Sequence, residues 1–195
     1  MSEAQARARR QQRIEELCAA SIRALTGGRD LHFRGGRLHL SWGADDFRAF
    51  RGAADGLALR LAHSDAVLHQ RVAPGNAVER VVFELLEQFR CEALTPAAMP
   101  GVRHNLRHAF ETWSLAFHHA GLTDSARGIV LYTVAQMSRA RATGEPVVEA
   151  TEDFIESTRF ALGPKLGVAL AGLRSVCIAC NRHFADGRRA AALCR

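Results

Sequence analysis

Lysine is almost missing from this chain: of its 26 basic residues, only Lys165 is not an arginine. Together with the abundance of alanine and glycine, that bias is more simply the mark of a GC-rich coding sequence than of a surface built around phosphates. A net charge of +6 and a pI near 9.7 still raise the question of a polyanion, because clustered cations displace counterions from nucleic acid. The cluster is confined to Arg7, Arg9, Arg10 and Arg13, and no aromatic residue interleaves with it to stack a base. A solvated helix face is the simpler account, and nucleic acid is not the expected partner. Long apolar runs are also missing. Nothing approaches the roughly 18 uninterrupted apolar residues of a membrane span, and the opening MSEAQARARRQQRIEELCAA has no apolar stretch behind its arginines. Five cysteines, an odd number without framework spacing, exclude a disulfide scaffold and fit a reducing compartment, so the expected location is cytoplasmic. Nucleotide and hydrolase signatures are lacking too. LGPKLG has neither the glycine spacing nor the Ser/Thr of a phosphate-binding loop, and no nucleophile elbow or zinc-protease motif occurs. The chain is therefore not expected to bind ATP or to carry catalytic residues of its own.

What is present is helical patterning over 195 residues, 48% of them hydrophobic and 24% charged, enough for a sizeable core. Ser2 and Gln5 can cap a first helix with Ile14, Leu17, Cys18, Ile22 and Leu25 on one face, closed by Gly27-Gly28. LHFRGGRLHL, residues 31–40, reads as a hairpin about Gly35-Gly36. Asp45-Asp46 starts a helix expected to run to position 72, with Ala54, Leu57, Ala58, Leu61 and Leu68 inward, until Pro74-Gly75 breaks it. Over 76–94 the chain is apolar on most of a helical circumference, which predicts a central helix. Over 102–120 the stripe Val102, Leu106, Phe110, Trp113 and Phe117 predicts another, with Gly121 as its cap. Helices are expected over 123–142, around Ile129, Val130, Val134 and Met137, and over 151–161. A last helix restarts at Gly163-Pro164 and runs through Leu166, Leu170, Leu173 and Cys177. The expected fold class is mainly α, a bundle of about six or seven helices with one small β-hairpin near the N-terminus. It forms a single domain: 1–44 helix plus hairpin, 45–121 core helices, 122–195 C-terminal helices.

The charged residues of the central helices are the most specific local feature. Spacing allows Arg80 to pair with Glu84 and Glu87 with Arg90. Glu92 falls on the apolar side, and since an unpaired buried charge costs several kcal/mol, Arg51 or Arg60 of the preceding helix is the expected mate. Such a lattice can fix helix register, or it can face a partner subunit. Asp65 and His69 share a helix face, an arrangement that can hold one imidazole tautomer. His104, His108, Glu111 and His118 lie on one face opposite the apolar stripe, and the first three have metal-ligand spacing; no supporting group is evident, and a solvated face is the simpler account. Cys177-x-x-Cys180, with only His183 and Cys194 nearby, is a half-set for zinc.

Residues 51 to 106 carry a series of motifs: Arg51-Gly52-x-x-Asp55, Ala58-Leu59-Arg60-Leu61, Asp65, His69, Pro74 and Phe83. The series goes on with Glu87-Gln88-x-Arg90-x-Glu92-Ala93, Met99-x-Gly101-Val102 and Asn105-Leu106. This series resembles the N-terminal region of the CobT-type subunit of aerobic cobaltochelatase, closely over that stretch and loosely over the remainder. Thr95 departs from it, standing where glycine is expected. The resemblance implies a noncatalytic assembly or coupling part of an ATP-dependent complex that inserts cobalt into a corrin ring, hydrogenobyrinic acid a,c-diamide, in aerobic cobalamin synthesis. Its implied partners are an AAA+ ATPase subunit and a large corrin-binding subunit, with further copies of the chain in a ring assembly. ATP, magnesium and cobalt belong to the complex, and no cofactor is expected on this chain. Arg51, Asp55, Arg60, Asp65, His69, Glu87, Arg90 and Glu92 become the candidate docking or ion-pair residues. The family's long form adds an acidic linker and a von Willebrand A-like domain with an Asp-x-Ser-x-Ser site. Neither occurs in these 195 residues, so the expectation is an N-terminal piece or a short relative. Two other classes compete: a stand-alone helical module for a polyanion through Arg7–Arg13, and a metal-binding helical protein using the His104 face.

Overall fold

The computed structural model describes residues 3–26 and 46–193, in which seven α-helices and two 3-10 turns follow one another. The helices are α1 Glu3–Thr26, α2 Phe47–His63, α3 Ala66–Val72, α4 Ala77–Ala93, α5 Pro100–His119, α6 Ala126–Thr143 and α7 Glu152–Leu193. Short polar caps set most of the starts. Asp46, Asp65 and Asn76 accept hydrogen bonds from the first free N–H groups of α2, α3 and α4, and Ser125 does so for α6. Pro100 opens α5, where its missing N–H costs nothing. Gly121, at φ 70°, ends α5 in the left-handed conformation, and its N–H reaches His118 O at 2.9 Å, as the sequence predicts.

α2 lies in the middle of the packing. Its small side chains Ala54 and Ala58 meet Cys18 and Ile22 of α1, with Ile14, Leu25 and Phe50 at the margin. Its other side sends Leu59 against Cys91, Val102 and Leu106 of α4 and α5. Gly52 sits where α2 crosses α5: a Cβ there would stand 2.2 Å from Asn105 O and 2.6 Å from Ala109 Cβ, so only glycine lets the two backbones approach this closely. Phe89, Phe110, Trp113, Phe117, Tyr132 and Phe154 form a run of ring contacts 5.4 to 6.1 Å apart that joins α4 and α5 to α6 and α7.

Several expectations need correction. The helix expected over 45–72 is two helices. Ser64 is extended, and Asp65 turns its carboxylate onto Val67 N and Leu68 N at 2.9 and 3.0 Å to begin α3. Of the residues expected to face inward, Leu57, Leu61 and Leu68 are exposed, at 36%, 55% and 46%. α4 is central only over its second half, where Phe89 and Cys91 are buried; Val78 and Val81 are exposed. α6 buries Tyr132, Ala135, Gln136 and Arg139 rather than the Ile129–Val130–Val134–Met137 face. Helices 151–161 and 163 onward are one helix, α7, with Pro164 inside it. Pro164 withholds an N–H from the Phe160 carbonyl, a loss that is tolerable because both residues are exposed and water can take that bond. The hairpin expected over 31–40 lies outside the described residues, as do Ser2 and Gly27-Gly28. Among the described residues there is no strand.

Candidate functional site

Three polar clusters tie α2 to its neighbours. At the first, Arg60 of α2, His69 of α3 and Glu84 of α4 converge. His69 Nε2 stands 2.8 Å from Glu84 Oε1 and 3.0 Å from Arg60 Nη2, and Arg60 donates to Glu84 Oε2. The imidazole also stacks on Phe83, with ring centres 4.6 Å apart. The hydrogen bond from His69, with Arg60 beside it, lowers the proton affinity of Glu84 despite partial burial. This is a correction: Glu84 is taken by Arg60 and His69, whereas Arg80 donates to Pro74 O at 3.1 Å. The Asp65–His69 pairing is likewise replaced, since Asp65 is spent on capping α3.

The second cluster is the expected Glu87–Arg90 pair. Arg90 Nε and Nη2 donate to the two Glu87 oxygens at 2.7 and 2.8 Å, and Nη2 also reaches His63 O at 2.7 Å, closing the end of α2. Burial pushes the Glu87 carboxyl up, but the bonds from Arg90 and Ser64 and the Arg90 charge outweigh it and hold the group down to about 2. Cys91 lies beside this pair, 3.9 Å from Glu87 Oε1. Burial pushes its thiol up to about 11 against the opposing pull of Arg90, so it is protonated at neutral pH.

The third cluster, on α2 and α5, and a separate pair joining α4 to α6 are both enclosed. Asp55 has no exposed surface and accepts from Arg51 Nε at 3.1 Å and Asn105 Nδ2 at 2.8 Å. Burial raises its carboxyl, with Asn105 and Arg51 pulling the other way. Glu92 meets neither Arg51 nor Arg60. Its mates are Arg139 of α6 at 3.3 Å and Gln88 at 3.2 Å, and the side chains of Arg139 and Glu92 are 4% and 10% exposed. Burial raises the Glu92 carboxyl, opposed first by the Arg139 charge. Arg139 in turn lies 4.5 Å over the Phe110 ring. Gln88 and Asn105 stand in the motif series without an assigned role, and Arg139 is absent from the expected site residues. For Arg139 the signal was there in Tyr132, Ala135, Gln136 and Arg139, which recur at helical spacing and place an arginine in a buried stripe.

The histidine face does not assemble. His108 pairs with Asp46 at 2.9 Å, His118 Nδ1 lies 2.9 Å from Thr123 Oγ1 and stacks on Phe154, and His104 and Glu111 are exposed. Among the described residues no three His, Cys, Asp or Glu side chains stand where they could hold a metal ion. Positions 177 and 180 lie on α7, and their side chains are outside the described residues.

These groups offer hydrogen bonding and charge balance across α2, α3, α4, α5 and α6. On the two helices that supply His69 and Glu84, Val67, Leu68, Val72, Val78 and Val81 are 46% to 77% exposed, interspersed with exposed Gln70, Arg71, Glu79 and Arg80. No described helix is long and apolar enough to cross a membrane. No solved structure matches this chain. The family model for cobalamin biosynthesis protein CobT matches residues 33–190, a span that takes in α2 to α6, all three clusters and most of α7. By that match the chain belongs to the CobT family, and its role lies in cobalamin biosynthesis.

Proposed function

We propose that this chain is a noncatalytic assembly segment of an ATP-dependent cobaltochelatase, docking on the AAA+ ATPase subunit or the corrin-binding subunit and passing on motion that ATP hydrolysis generates elsewhere. Nucleotide, magnesium and the cobalt to be inserted belong to those partners, and copies of this chain take part in a ring assembly. The observation that carries this reading is the α3–α4 surface. Its exposed Val67, Leu68, Val72, Val78 and Val81 lie on the same two helices as His69 and Glu84 of the half-buried Arg60–His69–Glu84 cluster, a mixture of exposed apolar side chains and fixed polar groups that a partner can bury. Arg60 and Arg90 remain partly exposed, at 26% and 21%, and keep that surface rigid through Glu84 and Glu87. Asp55 and Glu92 are enclosed and act as supports that fix the helices.

Co-purification tests it. The ATPase subunit should associate with the wild-type chain and be lost from Leu68→Asp/Val78→Asp, which alters exposed positions only. Arg60→Ala/Glu87→Ala should weaken association while far-UV circular dichroism stays unchanged. Undiminished association with both the ATPase and the corrin-binding subunit in the Leu68/Val78 variant would count against the docking surface.

A further inference from the structure

Beyond Lys165, most of the described residues of α7 are exposed while its sequence stays apolar. Val168 is 88% exposed, Ala169, Ala171 and Gly172 are exposed, and Leu166, Leu170 and Leu173 are half-buried. A helix that is apolar around most of its circumference is normally enclosed, and a lone helix is marginal in water. Leu166, Leu170, Leu173, Cys177, Cys180 and Phe184 follow each other at alternating intervals of four and three, the seam of a helix that packs lengthwise on another.

Alongside this helix runs a place to receive one. Two adjoining hollows between α6 and α7, of about 360 and 680 Å³, share Met137, Arg159 and Gly163. One end is lined by the small or apolar Ala140, Gly144, Val147, Gly167 and Leu170, with Arg141 at its edge. A Cβ built on Gly163 or Gly167 meets nothing within 4 Å, so a helix can approach the floor closely. The other end carries Glu152, Asp153 and Glu156 beside Phe160, which is 85% exposed; Arg159 answers one of the three, Glu152, at 3.2 Å. The far end of α7 has the opposite sign, since positions 182, 188 and 189 are all arginine.

We infer that a second copy of this chain lays its α7 antiparallel in the groove between α6 and α7, so that two copies pair about a two-fold axis near Leu170 and Leu173. In that direction the arginine end of each α7 runs beside the other copy's Asp153 and Glu156, while the leucine seam meets its own equivalent. A parallel pairing would bring acid against acid and arginine against arginine. The contact is self-complementary and closed, as a two-fold interface requires. It uses neither α3 nor the exposed half of α4, and so stands apart from the docking surface.

Sedimentation equilibrium on the full chain should give twice 21.3 kDa at micromolar concentration. Asp153→Arg/Glu156→Arg should weaken the dimer at least tenfold, and adding Arg182→Glu/Arg188→Glu should restore it. Circular dichroism of each variant separates loss of pairing from loss of fold. Direction is read by photo-crosslinking in mixtures of isotopically labelled and unlabelled chain. A benzoylphenylalanine at Gly172 should capture the same stretch of the other copy, and one at Ala190 should capture the peptide around residues 152–156. Under antiparallel pairing the two copies of position 190 lie about 55 Å apart at 1.5 Å per residue, so no 190-to-190 adduct should form. A monomer at all concentrations, a dimer indifferent to the charge reversals, or a 190-to-190 adduct would each overturn the inference.

Discussion

Replacing Arg139 with methionine should be among the most destabilising single changes in this chain, and the structure supplies the magnitude. Arg139 is 3% exposed as a residue, its Nε lies 3.3 Å from Glu92, and its guanidinium covers Phe110. Methionine keeps much of the volume but removes the charge, leaving Glu92 enclosed with Gln88 as its one side-chain donor among the described residues. Stranding one partner of a buried ion pair costs about 3–5 kcal/mol, which for a domain of this size lowers the melting temperature by about 6–20 °C. The sign of the pH dependence follows from Glu92. Burial already raises its carboxyl, and removing Arg139 raises it further, so the folded variant takes up a proton more readily than the unfolded chain. The gap between variant and wild type should therefore be widest at neutral pH and narrow as pH falls towards the ordinary glutamate value of 4.5. Arg139→Met/Glu92→Leu should recover most of the loss, because two apolar side chains strand no charge. Urea denaturation at pH 7 and pH 5 measures all of this. A single variant as stable as wild type, or a double variant no better than the single, would refute the reasoning.

The remaining predictions concern the other clusters. Gly52→Ala should destabilise by about 1–3 kcal/mol or more in the same denaturation assay, because the new methyl group meets the Asn105 carbonyl at the α2–α5 crossing. Glu87→Gln should flatten acid sensitivity. The wild-type carboxyl sits at about 2 against an ordinary 4.5, so its stabilisation, at most about 3 kcal/mol, is complete above pH 4.5 and is lost as pH falls towards 2. Parallel acid unfolding of variant and wild type over that window would contradict it. Cys91, with its thiol at about 11 and no exposed surface, should stay unmodified by iodoacetamide at pH 8 in the folded protein and react once urea is added, as peptide mass spectrometry would show.

Much of the framework was legible in sequence, for identifiable reasons. The α5 stripe and its Gly121 cap, the Asn76 start of α4 and the Glu87–Arg90 pair are local features, fixed by spacing within one helix. Breaks and long-range partners were not. Asp65 reads equally well as a mate for His69 or as a cap, and only the extended Ser64 decides between them. Glu84 has an arginine at ideal spacing on its own helix yet takes Arg60 and His69, because α2 and α3 deliver both to it across space. Arg139 and Glu92 are 47 positions apart, a distance at which no periodicity speaks. Of the motif over residues 51–106, Gly52 and Asp55 now have a packing explanation in the α2–α5 crossing and the Asn105 bond. Arg60 has its own in the contact with α3 and α4.

Whether α3 and the first half of α4 are a contact surface can be read directly by hydrogen–deuterium exchange of this chain with and without the purified ATPase and corrin-binding subunits. Docking predicts that amides of residues 66–84 slow on complex formation with one of the two while the buried second half of α4 changes little. Exchange over 66–84 that stays the same with either subunit at saturating concentration would contradict the account.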